Sequence, residues 1–260
     1  MEIFWSTISQ YNSATWIYQL IIILLGGGLT LLLLLRPQRW VKIAMKVFLI
    51  LVYLWISIIY YHIYCAARSY NIIMSIYWSF LAAAWIWDLA RGYTQFEFNR
   101  KYAGLAVLLL IMPFLYPLFS WLRGLSFPEI TSPVMPCSVV VFTFGLLLLM
   151  SRKVNLFIIL LLSHWAMIGL SKTYFFNIPE DFLLVATTIP ALYLFFKDYY
   201  LRHLTDDATK PRRKYVNLLL MTLSIGIAVI LIICLVMELT TDVPTHHPVV
   251  INTPTPLAIP

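Results

Sequence analysis

The chain has 260 residues, of which 62% are hydrophobic and only 11% charged, and its mean hydropathy is +0.86. A soluble domain carries roughly 25% charged residues, so this chain could not cover a globular surface in water, and lipid must be the solvent for most of it. The net charge of +7 would suit a nucleic-acid binder in a soluble protein; here its meaning depends on where the cations lie.

Apolar runs of spanning length fall near 15–35, 44–65, 70–89, 102–121, 134–150, 154–171, 182–200 and 215–238. Each holds about 17–24 residues, enough for a ~30 Å hydrocarbon core at ~1.5 Å rise per residue. Backbone groups in lipid must be satisfied within the segment, which favours helices even where Pro or Gly interrupts a run. The sequence therefore predicts an all-α, polytopic transmembrane helix bundle of about eight helices over residues 1–240. Residues 241–260, rich in Pro and Thr, read as an irregular extracytoplasmic tail. No basic n-region precedes the first run, so it is expected to be an uncleaved helix. The fifth and sixth runs are short and joined only by Ser151, Arg152 and Lys153.

Fifteen of the 18 Lys and Arg residues fall in alternate gaps. These are Arg36 to Lys46, then Arg91 to Lys101, then Arg152 and Lys153, then Lys197 to Lys214. Arg68, Arg123 and Lys172 occupy the other side. The bias predicts a multi-pass protein of the inner (plasma) membrane with both termini outside the cytoplasm. The basic stretch "TKPRRKY" (209–215) then fits anionic lipid headgroups, and no nucleic-acid partner is expected.

Polar residues inside the runs are informative, because leaving them unpaired in lipid is costly. They are Gln19 in the first run, His62 in the second, Asn71 and Asp88 at the ends of the third, Thr143 in the fifth and His164 in the sixth. Gln19, His62 and Asn71 fall in the outer half with Tyr11, Asn12, Tyr61, Tyr116 and Cys137, whereas Thr143 and His164 fall near mid-depth. Each has a plain reading beside the functional one. Gln19 and Asn71 can cross-link helices at about 0.6 kcal/mol per hydrogen bond, and His62 in "YYHIYC" can sit among interfacial tyrosines. His164 can be a hydrogen-bonded structural histidine. Asp88 in "WIWDLARG" can pair with Arg91 or reach water. Glu180 and Asp181 follow Pro179 as helix-start residues do. Gly26, Gly27 and Gly28 suit either close helix approach or a hinge.

Cys65, Cys137 and Cys234 have no metal-ligand spacing and read as apolar packing, without an obligatory disulfide. His246 and His247 alone do not make a metal site, and no metal or cofactor is expected. The chain has no H-E-x-x-H, G-x-S-x-G or Gly-rich phosphate loop. "DLAR" (88–91) resembles part of a phosphatidyltransferase signature, but the downstream paired aspartates are missing. "GLTLLLLLR" (28–36) and "GLLLLMSRK" (145–153) share a pattern and a direction, as a parallel four-plus-four duplication would give. Pro133 and Pro136 open the fifth run; prolines suit a helix start, whose first N–H groups have no partner, or a partly unwound entry that forms a site.

Three stretches, "YNSATWIYQ" (11–19), "YYH" (60–62) with Asn71 downstream, and "MPCSVVVFTFGLLLL" (135–149), resemble an uncharacterised bacterial integral-membrane family named only as a domain of unknown function. The resemblance spans roughly residues 8–170 and rests on Tyr11, Asn12, Trp16 and Gln19, on Tyr61 and His62, and on Pro136, Cys137, Thr143 and Gly145. Ile17 and Ser138 stand where the pattern has proline. It implies a polytopic membrane protein and supplies no activity.

The leading expectation is a small-solute or ion translocator, or a sensor, with an outer-half polar pocket. Tyr11, Asn12, Gln19, Tyr61, His62, Asn71, Cys137, Thr143 and His164 would contact the ligand, with His62 within reach of Gln19 or Asn71. Its partners would be the lipid bilayer and a small molecule or ion; the oligomeric state is left open. One alternative is an intramembrane enzyme acting on a lipid or lipid-linked group, with His62 or His164 as acid–base and Cys137 as nucleophile. The other is a non-catalytic assembly partner whose polar groups only join helices.

Overall fold

A computed structural model describes residues 2–66, 71–175, 184, 186 and 188–197. Their helices are α1 (Glu2–Leu35), α2 (Arg39–Trp55), α3 (Asn71–Arg91), α4 (Ala103–Leu122), α5 (Pro136–Met150), α6 (Leu156–Phe175) and α7 (Thr188–Lys197). Helix α2 runs on without a break as a π-helix, Ile56–Tyr64. Two short strands, β1 (Gln95–Phe96) and β2 (Ser151–Lys153), pair antiparallel, Gln95 with Lys153 and Phe96 with Ser151. The fold is all-helical apart from this ribbon. Four segments, Trp5–Leu35, Arg39–Tyr64, Asn71–Arg91 and Arg100–Leu122, are long and apolar enough to cross a bilayer, and the chain is a membrane protein. The expected eighth run, the tail, the cations from Arg202 to Lys214, and Glu180, Asp181 and Cys234 lie outside the described residues.

Helix α1 begins well before the apolar run that announced it. Thr7, Ile8, Tyr11, Asn12, Thr15 and Gln19 are buried along one helical stripe, while Trp16, Ile17, Leu20 and Leu24 are exposed on the lipid-facing side. The polar residues that broke the hydrophobic run are the buried face of this first section.

Lys46 and Asp88 set the direction of α2 against α3. Lys46, expected in a loop, lies inside α2, and its Nζ is 2.7 Å from Asp88 Oδ2; Asp88 is fully buried. Asp88 was expected to pair with Arg91 or to reach water, and it does neither: it is buried, and Arg91 is exposed at the end of the helix that carries it. Gly92, at φ +68°, ends α3 in the left-handed region, where a Cβ is costly, and turns the chain back. The backbone N–H and the hydroxyl of Thr94 then both donate to Asp88 Oδ1 at 2.9 Å. Asn155 N–H donates to Thr94 Oγ1, while Glu97 and Asn99 N–H donate to the carbonyls of Met150 and Leu149. Those carbonyls close α5, so the ribbon satisfies acceptors that a helix end leaves open. The loops at 36–38, 92–102 and 151–155 thus share one end of the molecule, the basic end. The opposite end holds the 123–135 loop.

Helix α5 is the hub. It has 15 residues, and all but Phe142 are buried. At about 22 Å it is shorter than a hydrocarbon core, yet a helix wrapped in protein need not meet lipid along its length. Pro136 is in its first turn after an extended Met135, as the helix-start reading expects. Gly145 lets α4 approach it: a Cβ there would lie 2.9 Å from Leu109 Cβ, 2.9 Å from Leu110 N and 3.0 Å from Ala106 O. Gly28, its counterpart in the expected repeat, has open space around it. Of the three consecutive glycines only Gly26 faces a neighbour: a Cβ there would lie 2.8 Å from the Phe48 ring.

Substituting Gly145 by Ala should lower stability by about 1–3 kcal/mol, because two of the three close atoms are backbone and cannot turn aside. Gly27→Ala should be neutral or slightly stabilising. Thermal unfolding of both variants in detergent checks this; equal melting temperatures would mean that α4 and α5 do not meet backbone to backbone.

Candidate functional site

On α1, Asn12, Thr15 and Gln19 follow one another at roughly one-turn intervals and face inward. Asn12 Nδ2 donates to the carbonyls of Pro128 and Ile130, at 2.8 and 2.7 Å. Gln19 Nε2 donates to Asn12 Oδ1 and Thr15 Oγ1, and Gln19 Oε1 accepts a short hydrogen bond from the Ser132 hydroxyl. Two amides therefore hold the loop between α4 and α5 against α1. Ser120 and Thr131 bond each other at 2.9 Å on the other flank of that loop.

On α5 the polar line reaches Ser138, whose Oγ donates to the Ser132 carbonyl at 3.0 Å. Five residues on, and so on another face of the helix, Thr143 Oγ1 donates to the Val139 carbonyl and lies 2.7 Å from Tyr53 OH. A threonine hydroxyl has one proton, so the Tyr53 hydroxyl is the donor in that second bond. Asn12, Gln19, Ser132, Ser138 and Thr143 are all buried. Every bonded partner in the line is a neutral amide, hydroxyl or carbonyl.

Beside it stands an aromatic wall. Tyr11 accepts from Trp55 Nε1 at 2.9 Å and meets Tyr60 and Tyr64 edge-on at 5.1 and 5.6 Å. Tyr61 stacks near Trp78 and meets Trp165 edge-on at 6.0 Å. The π-helix supplies this arrangement: Cys65 N–H reaches back five residues to the Tyr60 carbonyl. Its wider turn leaves the Tyr61 carbonyl to accept from Asn71 Nδ2 at 3.4 Å.

The structure thus gathers Asn12 and Gln19, sets Thr143 apart on α5, and puts Tyr11, Tyr61 and Asn71 in the adjoining wall. The other three expected residues are His62, His164 and Cys137. His62 is exposed, next to buried Tyr60 and Tyr61, and among the described residues no hydrogen bond joins it to Gln19 or Asn71. His164 is half-buried and its Nδ1 is 2.5 Å from the Leu160 carbonyl of its own helix. Cys137 and Cys65 are both buried, and neither is in a disulfide. Trp16 is exposed. Thr15, Ser132 and Tyr53 were missed; the spacing from Tyr11 to Gln19 would have found Thr15, while Ser132, in a loop, carries no periodic signal. Among the described residues no three His, Cys, Asp or Glu side chains group as metal ligands would.

The family resemblance and the buried stretches agree with a direct match. The chain belongs to DUF6064, a family of unknown function. The family model covers residues 1–206, from α1 through the whole polar line and past α7. No curated protein and no solved structure matches the chain. For this DUF6064 chain the site must therefore be argued from its own geometry.

Replacing Gln19 by Leu removes both the Asn12 and Ser132 bonds, so the 123–135 loop should loosen. Hydrogen exchange of peptides covering 126–135 should quicken about tenfold, since each lost bond is worth on the order of 0.6 kcal/mol and Ser132 also loses its partner. Gln10→Leu, at an exposed position of the same helix, should leave exchange there unchanged.

Proposed function

We propose that this chain is a multi-pass protein of a bacterial plasma membrane that binds a small, uncharged, hydrogen-bonding solute in its outer half, for passage or for sensing. The observation that carries this reading is the buried line from Asn12 through Gln19 and Ser132 to Ser138, with the separate Thr143–Tyr53 pair deeper on α5, in which no charged side chain takes part. Amides and hydroxyls both donate and accept, so a solute with the same groups can replace one internal bond by another at little net cost. The line offers an ion no fixed countercharge. The buried acid among the described residues, Asp88, is already neutralised by Lys46 at the opposite end. Enzymatic use draws less support, because His62 faces outward and His164 is bonded within its own helix.

The solute would enter from outside. The cations of the 36–46, 91–101 and 152–153 stretches support a cytoplasmic basic end, with the 123–135 loop and both termini on the other side. Reporter fusions after Glu97 and Asp207 should read cytoplasmic, and a fusion after Asp242 should read periplasmic. A cytoplasmic signal from the last would reverse the assignment of the tail.

Proteoliposomes provide the functional test. With urea, glycerol, erythritol and a neutral sugar as osmolytes, at least one should enter faster than into empty liposomes or raise the melting temperature of the protein. Sodium glutamate should do neither. Gln19→Leu should change the response to the active solute. A panel of neutral solutes with neither effect, or a response to glutamate alone, would exclude the reading.

A further inference from the structure

Helices α2 and α3 are antiparallel and joined by the Lys46–Asp88 pair, which has a consequence one helical turn further out. Lys42 precedes Lys46 by four residues and Arg91 follows Asp88 by three, so both extend the faces that meet at the pair. Asp88 is already engaged elsewhere: one oxygen takes Lys46 and the other takes both donors of Thr94. Lys42, Arg91 and neighbouring Arg39 form no ion pair among the described residues, and the first turn of α2 has no acid. Lys42 is only half exposed. A partly desolvated ammonium without a counter-ion is unfavourable, and an anion at that position would relieve it.

The level of the membrane identifies the anion. Trp40 and Tyr93 are both about half exposed beside these cations, and the indole N–H of Trp40 donates to Gln38 Oε1 at 2.6 Å. Exposed Trp and Tyr next to Lys and Arg, at the ends of spanning helices, mark the headgroup layer. We propose that Lys42 and Arg91, with Arg39 at the rim, form a binding site for the phosphate of an anionic phospholipid. Arg91 offers a planar fork to two phosphate oxygens and Lys42 a point charge. The acyl chains would lie along the exposed apolar side of α2, at Ile43 and Val47. The site is independent of the solute proposed for the opposite end.

Quenching of tryptophan fluorescence by brominated lipids in mixed bilayers measures the preference on the unaltered protein. Brominated phosphatidylglycerol should compete for part of the surface roughly tenfold better than brominated phosphatidylcholine, since two cations act together near a charged surface. The double variant Lys42→Gln/Arg91→Gln should lose that preference, and Arg123→Gln, at the other end, should keep it. Inorganic phosphate added to protein in detergent should leave the melting temperature unchanged, whereas phosphatidylglycerol should raise it. Equal quenching by the two lipids in the unaltered protein would overturn the proposal, whether or not the variant folds. An undiminished preference in the double variant would overturn it too, and a rise with inorganic phosphate equal to that with lipid would mean a free-anion site instead.

Discussion

One buried ion pair organises the basic end. Lys46 and Asp88 lie 2.7 Å apart with almost no solvent access, where losing one partner typically costs about 3–5 kcal/mol because the other charge is stranded. The pair is tolerated because the acceptor sites of the other carboxylate oxygen are filled: Thr94 supplies it with two donors. Filling them requires the chain to reverse at Gly92, and the reversal delivers β1 to β2 and Thr94 to Asn155. The connection between α5 and α6 is thereby tied to the turn after α3. An electrostatic demand inside the bundle fixes four chain segments at its end.

Helix α5 depends on that arrangement. It is too short to span by itself, and its last carbonyls would be unsatisfied if the ribbon did not reach them. At its other end the irregular chain before Pro136 is also buried: Thr131, Ser132, Val134 and Met135 have little access to solvent. Backbone of this kind is stable at membrane depth only where protein surrounds it. Here α1 does so through Asn12 and Gln19, and α4 through Ser120. The two ends of α5 are held by different chemistry, one by an ion pair and a ribbon, the other by amides and hydroxyls.

Spanning helices were legible in the sequence because lipid enforces an apolar run of fixed length. The runs at 70–89 and 102–121 correspond to α3 and α4 within about two residues. Helix α1 was underestimated for the same reason: "STISQYNSAT" turns a polar stripe inward, and mean hydropathy does not register on which face a polar group lies. Gln19, Asn71 and Thr143 were recognisable as residues that must find partners, and all three are buried and bonded. Which partners they find was not legible, since Ser132 and Tyr53 are over a hundred and about ninety residues away in the chain. Nothing local distinguishes a histidine that faces inward from one that faces lipid. His62 lies in the π-helix, and an i→i+5 turn leaves no periodic mark in nine residues of which seven are apolar or aromatic. Asp88 was expected to pair with Arg91, close by in sequence, or to reach water, whereas burial selected the cation on the neighbouring helix.

The contrast between the two ends bears on how such a molecule could work. Breaking the Lys46–Asp88 pair would expose two charges to a medium of low dielectric constant, so helices α2 and α3 should stay together at the basic end on any functional timescale. The bonds that hold the 123–135 loop are neutral, and each can be exchanged for a bond to water or solute at a fraction of that cost. Motion, if the proposed solute reaches Ser138 and Thr143, must therefore begin at the loop. It would swing on α4 and α5 with the ribbon as its fixed point. Gly145 makes the α4–α5 contact backbone to backbone, so these two helices are suited to move as one body. The amide pair on α1 is then both what closes the line and what a solute would have to replace.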